Sequence, residues 1–80
     1  MILTIDIGNT NIKCGVFDGD RLVYSLRLAS SVSKTSDEYG LTMSDLLAQN
    51  GISRKDISGI IISSVNPNLN YTFEHMSNYF

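Results

Sequence analysis

The pattern of apolar and polar residues begins with two strands folded back on each other. Residues 2–7 are almost wholly apolar and carry a single acid, Asp6, near the end of the run. Residues 12–17 alternate, with Lys13 on the face opposite the apolar side chains. Glycine and asparagine at residues 8–11 are typical of a tight hairpin turn, which predicts that the two strands pair antiparallel.

A third strand follows after the turn-forming residues 18–20. Residues 21–28 alternate cleanly, which predicts an antiparallel strand with one covered and one exposed face. The small polar residues 29–34 predict a loop. The side chains expected to share the apolar face are Leu22, Tyr24, Leu26 and Leu28.

Residues 35–51 have the signals of a complete helix. Thr35 and Glu38 are spaced as a capping box, in which each side chain bonds the backbone of the other residue. Tyr39, with later apolar residues at helical spacing, predicts one buried face. Gly51 predicts a left-handed stop.

The last third of the chain predicts one strand and one helix. Residues 57–65 are a continuous β-branched run, typical of a strand that is covered on both faces and lies parallel to its neighbours. Asn66 and Pro67 end that strand and open a helix. The apolar side of the helix is predicted to carry Leu69, Phe73, Met76 and Phe80.

The predicted order of elements is therefore βββαβα, which is an α/β fold. A right-handed crossover lays strand four parallel to strand one, which gives a mixed sheet with the strand order 3-2-1-4. Strand four would be an edge, which is a poor place for the uncharged run 60–62. A further strand or a second copy of the chain is expected beside it. We therefore expect residues 1–80 to be the first part of a longer protein.

Composition narrows the class of protein. The chain has 80 residues, 42% apolar and 18% charged, which fits a globular domain. A net charge of −2 argues against a nucleic-acid surface, and no apolar run is long enough to span a membrane. We expect no signal peptide. A single cysteine, Cys14, allows no internal disulfide and is expected in the core.

The first hairpin carries the candidate chemistry. Asp6 could hold Mg²⁺, Lys13 could pair with phosphate, and the backbone amides of residues 8–11 could line an anion-binding concavity. Ordinary structural interpretations stay open: a capping Asp, a plain Gly-Asn hairpin and an exposed Lys. For Asp37, Glu38 and Tyr39 we prefer capping and packing, and we expect His75 to be a solvated surface residue.

Residues 6–13, DIGNTNIK, match the opening phosphate-binding motif D-x-G-x-T-x-x-K of the acetate and sugar kinase/actin superfamily. More narrowly, the chain resembles the N-terminal part of type III pantothenate kinases. That resemblance lies in three blocks, in the order and at about the spacing of the family: DIGNTNIKCGVFDGD (6–20), KTSDEYG (34–40) and GIIISSVNP (59–67).

The resemblance implies a ribonuclease-H-like domain, one of two in a subunit, with ATP between them. It implies a cytoplasmic, dimeric kinase that phosphorylates pantothenate in coenzyme A synthesis and needs Mg²⁺ and a monovalent cation, K⁺ or NH₄⁺. Its general base and pantothenate contacts lie outside this chain, so residues 1–80 alone are expected to be inactive. The implied nucleotide-binding residues are Asp6, Ile7, Gly8, Asn9, Thr10, Asn11, Ile12 and Lys13, with Asp6 as the Mg²⁺ and phosphate-positioning residue.

Three other functions stay open. The domain could bind nucleotide as a regulatory module without chemistry. It could belong to a phosphate-ester or polyphosphate hydrolase of the same superfamily, although Ser63 and Ser64 have no neighbouring His in sequence to activate them. It could also be a structural fragment that dimerises through strand four.

Overall fold

The structure is a computed structural model that describes residues 1–79. Its strands are β1 (Ile2–Ile7), β2 (Asn11–Asp18), β3 (Arg21–Ala29) and β4 (Gly59–Ser64), and its helices are α1 (Ser36–Gln49) and α2 (Asn70–Tyr79). The four strands form one sheet in the order β3-β2-β1-β4. β4 runs parallel to β1, and the other two pairs are antiparallel. The predicted α/β fold, element order and sheet order are confirmed.

Both helices cover one face of the sheet. Every second side chain of β1 and β2 points to that face because a strand alternates with period two. The Tyr39 ring of α1 lies 4.7 Å from the Phe73 ring of α2, measured between centroids. The apolar core consists of Leu3, Ile5, Ile7, Ile12, Cys14, Val16, Tyr39, Met43, Leu47, Ile52, Leu69, Phe73 and Met76.

Helix α1 begins and ends as its sequence predicts. The Glu38 amide donates to Thr35 Oγ1 at 3.2 Å, and the Thr35 amide donates to Glu38 Oε1 at 3.0 Å. Gly51 has a φ of 74°, a conformation that favours glycine. The Ile52 amide reaches back to the Leu47 carbonyl at 2.9 Å, and Ile52 itself is buried.

The alternation predicted for β3 is wrong at its start. A bulge shifts the register so that Val16 pairs with Tyr24 and Phe17 pairs with Leu22, which leaves Val23 as the extra residue. Leu22 therefore lies on the uncovered face and is 52% exposed, whereas Val23 packs against the core. The rest of the predicted apolar set, from Tyr24 onward, packs against the core as expected.

Strand β4 is shorter than predicted and is an edge of the sheet. The expectation that it is covered on both faces is wrong within the described residues, because Ile61 on its uncovered face is 61% exposed. Asn66 and Pro67 do open the last helical segment, but as a short 3-10 turn (Pro67–Leu69) before α2. Phe80, placed by prediction on the apolar side of that helix, lies outside the described residues.

His75 is not a solvated surface residue. Its side chain is half-buried, and its Nδ1 lies 3.0 Å from Ser36 Oγ at the start of α1. Its ring stacks on Tyr71 and meets Tyr79 edge-on, with centroids 5.6 Å and 4.8 Å apart. The polar side of α2 therefore contacts α1 through His75. Neither helix in residues 1–79 has the length and apolarity to span a membrane.

Candidate functional site

The candidate site is the turn between β1 and β2. It comprises residues 8–10, one residue shorter than predicted, because Asn11 already belongs to β2. The Gly8 amide donates to the Asn11 carbonyl at 2.9 Å, which closes the turn. A Cβ at Gly8 would lie 2.8 Å from the Asn11 carbonyl oxygen. Glycine is required here by this close approach of the backbone.

Asp6 and Lys13 lie beside this turn and on the same side of the sheet. They are direct partners in the antiparallel register of β1 and β2, and both are exposed on the face without helices. Directly opposed residues of an antiparallel pair present neighbouring side chains. An acid and an amine therefore stand together at the mouth of the turn.

Two backbone amides of the turn have no protein partner. Within residues 1–79, the amides of Asn9 and Thr10 donate to no carbonyl or side chain, and both residues are exposed. Successive unpaired amides in a turn can bind an anion. The Thr10 hydroxyl and the exposed Asn9 and Asn11 side chains add further polar groups at the same place.

Two members of the sequence motif cannot offer their side chains to a ligand. Ile7 and Ile12 are both 0% exposed and belong to the core, and they are register partners of each other. The Ile7 carbonyl is also occupied, since it accepts from the Val65 amide at 3.0 Å. In this motif the isoleucines hold the turn to the core.

The turn is held from both neighbouring strands by contacts that the sequence did not reveal. Ser30, just after β3, donates through its hydroxyl to the Gly8 carbonyl at 2.8 Å and through its amide to the Thr10 carbonyl at 2.9 Å. Asn66, just after β4, is 8% exposed and donates from Nδ2 to the same Gly8 carbonyl at 3.4 Å. Three segments therefore meet at one carbonyl oxygen.

Tyr39 in turn fixes the segment that carries Ser30. Its hydroxyl donates to the Ala29 carbonyl at 3.0 Å and accepts from the Ser31 amide at 2.9 Å. The Tyr39 side chain is 1% exposed. Sequence reasoning assigned Tyr39 to packing and Glu38 to capping, both of which are confirmed, but it missed this contact. A buried tyrosine needs a hydrogen-bond partner for its hydroxyl, and this need is the one signal in the sequence that pointed to such a contact.

Cys14 is confirmed as a core residue. It is 4% exposed, and burial raises the pKa of its thiol to about 12, which keeps it protonated and unreactive at neutral pH. Within residues 1–79 no three His, Cys, Asp or Glu side chains are grouped as a metal site would require. A cation at Asp6 would therefore have fewer than three such ligands from the described chain and would take the others from water or phosphate.

Comparison with known proteins finds related chains in one family. The family model for type III pantothenate kinase matches residues 2–80. The chain is 49% identical over 75 residues to a type III pantothenate kinase of Agathobacter rectalis, covering 94% of this chain and 29% of that protein. It is 49% identical over 76 residues to one of Geobacillus thermodenitrificans, covering 95% of this chain and 30% of that protein.

The family match and the fold place the chain in a family of kinases. The chain belongs to the type III pantothenate kinase family, as the family match over nearly its whole length shows. It spans about three tenths of the length of the curated relatives that it matches.

Proposed function

We propose that the protein carrying these residues transfers the terminal phosphoryl group of ATP to pantothenate, the first step of coenzyme A biosynthesis. The observation that carries the proposal is the pairing of Asp6 with Lys13 on one face, beside a turn with two unpaired amides. Family membership supports pantothenate as the acceptor.

In this proposal the β1–β2 turn holds the phosphates. The amides of Asn9 and Thr10 and the Thr10 hydroxyl donate to phosphate oxygens, and the side-chain amides of Asn9 and Asn11 add donors. Lys13 supplies a positive charge. Because phosphoryl transfer depends mainly on positioning and on neutralising charge, these groups suit the reaction. Gly8 keeps the turn tight enough for its backbone to reach the ligand.

Asp6 is the proposed contact for Mg²⁺, direct or through water. One carboxylate combined with water and phosphate oxygens suits this small cation, which gives up its water reluctantly. When bound, Mg²⁺ neutralises charge on the phosphates. The chain's own contribution is to hold the Asp6 carboxylate on the same face as the Lys13 ammonium. We also propose a need for K⁺ or NH₄⁺, as the family resemblance implies, without assigning residues to it.

We further propose that residues 1–80 are the N-terminal, ribonuclease-H-like nucleotide-binding domain of a two-domain, cytoplasmic, homodimeric kinase. The general base and the pantothenate contacts then come from the rest of the protein. The short span of this chain relative to its curated relatives supports this arrangement. Residues 1–80 alone are then inactive.

The test is an assay of ATP-dependent pantothenate phosphorylation by the full-length protein. Lys13→Ala should lower kcat/KM by about a hundredfold, the equivalent of losing a charged hydrogen bond worth about 3 kcal/mol. Lys55→Ala is the matched control, because Lys55 is exposed on the remote 3-10 turn Arg54–Asp56 and should leave the rate unchanged.

The same assay, together with measurements of Mg·ATP binding and phosphate release, separates the other functions. Binding of Mg·ATP without product would favour a regulatory module. Release of phosphate that does not depend on pantothenate would favour a hydrolase. Equal rates for Lys13→Ala and Lys55→Ala would contradict the proposed role of the hairpin.

A further inference from the structure

Arg27 continues the row of charged residues across the open face of the sheet. Lys13 pairs with Asp6 of β1 on one side and with Arg27 of β3 on the other. The α-carbons of directly paired residues on antiparallel strands lie about 4.5–5.5 Å apart, and their side chains leave the sheet on the same face. All three residues are exposed. The order of charges across the sheet is therefore positive, positive, negative.

The pairing of two cations is unfavourable in the protein by itself. Like charges directly opposite each other on neighbouring strands destabilise a sheet. Within residues 1–79 the ion pair found is Arg21 with Asp18, at 3.9 Å, and no carboxylate lies within 4.0 Å of the Arg27 or Lys13 cation. An anion shared between the two side chains would turn this repulsion into attraction.

We propose that Arg27 is a second phosphate-binding cation, which holds the polyphosphate of the nucleotide together with Lys13. This inference rests on the proposed function, since it names a further contact of the same site. The formal charges of Asp6 and Lys13 cancel, so that pair alone carries no net positive charge. Arg27 makes the row positive, and its planar guanidinium can bind two phosphate oxygens at once.

The place of Arg27 favours phosphate over the other anion of the reaction, the carboxylate of pantothenate. Ser30, three residues further along the chain, is bonded to the Gly8 and Thr10 carbonyls of the turn. The end of β3 is therefore fixed against the turn whose amides lack protein partners. Arg27 is two residues before Ala29, the register partner of Asn11, so its long side chain leaves the sheet near the end that carries the turn.

The test compares Arg27→Gln with Arg21→Gln in the full-length protein. Arg21 is the matched control: it removes the same charge from the other end of β3, where it is 77% exposed beside Asp18. Two quantities are measured, the Kd for Mg·ATP and the Tm without nucleotide. Arg27→Gln should weaken Mg·ATP binding by about tenfold or more, the loss expected for a charged hydrogen bond. Arg21→Gln should not.

The Tm distinguishes a binding role from a structural one. Since Arg27 repels Lys13 in the free protein, Arg27→Gln should leave the Tm unchanged or raise it. Arg27→Lys should keep part of the affinity. A lower Tm or failure to fold, an unchanged Kd for Mg·ATP, or an effect on the KM for pantothenate alone would each overturn the inference.

Lys13→Ala separates this inference from the proposed function. If Lys13→Ala weakens Mg·ATP binding and Arg27→Gln does not, only the role of Arg27 fails. If the wild-type protein binds no Mg·ATP, both fail together.

Discussion

The two faces of the sheet are made by the same strands and do different things. On the covered face of β1, Leu3, Ile5 and Ile7 are at most 3% exposed. On the open face of the same strand Asp6 is exposed and stands beside Lys13. One face supplies the apolar contacts that hold the hairpin, and the other presents the charges. The alternation of a single strand thus couples stability to the candidate site.

The largest expected effect comes from truncating the covered face. Ile5→Ala should lower the free energy of unfolding by about 4 kcal/mol, because it removes buried methyl groups and leaves a cavity in the core. Thr4→Ala, one residue away and on the open face, should cost less than about 1 kcal/mol. Denaturant unfolding of the full-length protein measures both values. Equal losses would contradict the division between the faces.

The next largest effect is expected at the turn that joins β1 to β2. Gly8→Ala should cost about 2 kcal/mol of stability, because the added methyl group would collide with the Asn11 carbonyl. It should also weaken Mg·ATP binding by at least about tenfold, since the turn must open. Gly19→Ala is the control for a loss of stability alone. An alanine would be strained at the φ of 63° that Gly19 adopts, and this residue lies far from the site. Normal Mg·ATP binding by Gly8→Ala would contradict the predicted role of the turn.

A smaller effect is expected at the Tyr39 hydroxyl, which holds the segment carrying Ser30. Tyr39→Phe keeps the ring against Phe73 but leaves the Ser31 amide and the Ala29 carbonyl without their partner. The expected cost is about 1.5 kcal/mol of stability, with a severalfold weaker affinity for Mg·ATP. Titration calorimetry and unfolding on one preparation measure both. A loss of stability with unchanged affinity would show that the segment does not position the turn.

The smallest expected effect on stability comes from the Cys14 thiol in the core. The pKa of the Cys14 thiol is raised from 9.0 to about 12 by burial, so the folded protein retains a proton that the unfolded chain loses. The stabilisation that the protonated Cys14 thiol gives the folded state is fully present below pH 9 and declines as the pH rises from 9 toward 12. The free energy of unfolding should therefore fall by about 0.8 kcal/mol by pH 9.5, and this fall should be absent in Cys14→Ala. If the free energy of unfolding falls equally with alkaline pH in the wild type and in Cys14→Ala, this prediction is contradicted.

The sequence predicts elements whose signals are local. The alternation of residues 12–17, the capping box at Thr35 and Glu38, and the left-handed Gly51 all appear as predicted. Each depends on residues within one turn or one strand. The order of the sheet followed from the connections between these elements.

The features that sequence reasoning missed are set by long-range pairing. The bulge at Val23 depends on which residue of β3 faces Phe17, which alternation within one strand cannot reveal. Asn66 reaches Gly8 from 58 residues along the chain. His75 finds Ser36 across 39 residues. Such contacts become visible only once the helices and strands are packed.

The most direct test of a phosphate site at the first hairpin is a titration of the full-length protein with ATP, with and without Mg²⁺. Asp6→Asn should lose most of the gain in affinity that Mg²⁺ gives the wild-type protein. Lys13→Gln should weaken binding under both conditions. If Asp6→Asn keeps the full Mg²⁺ dependence, or if both variants bind ATP as the wild type does, the proposed phosphate site at the first hairpin is contradicted.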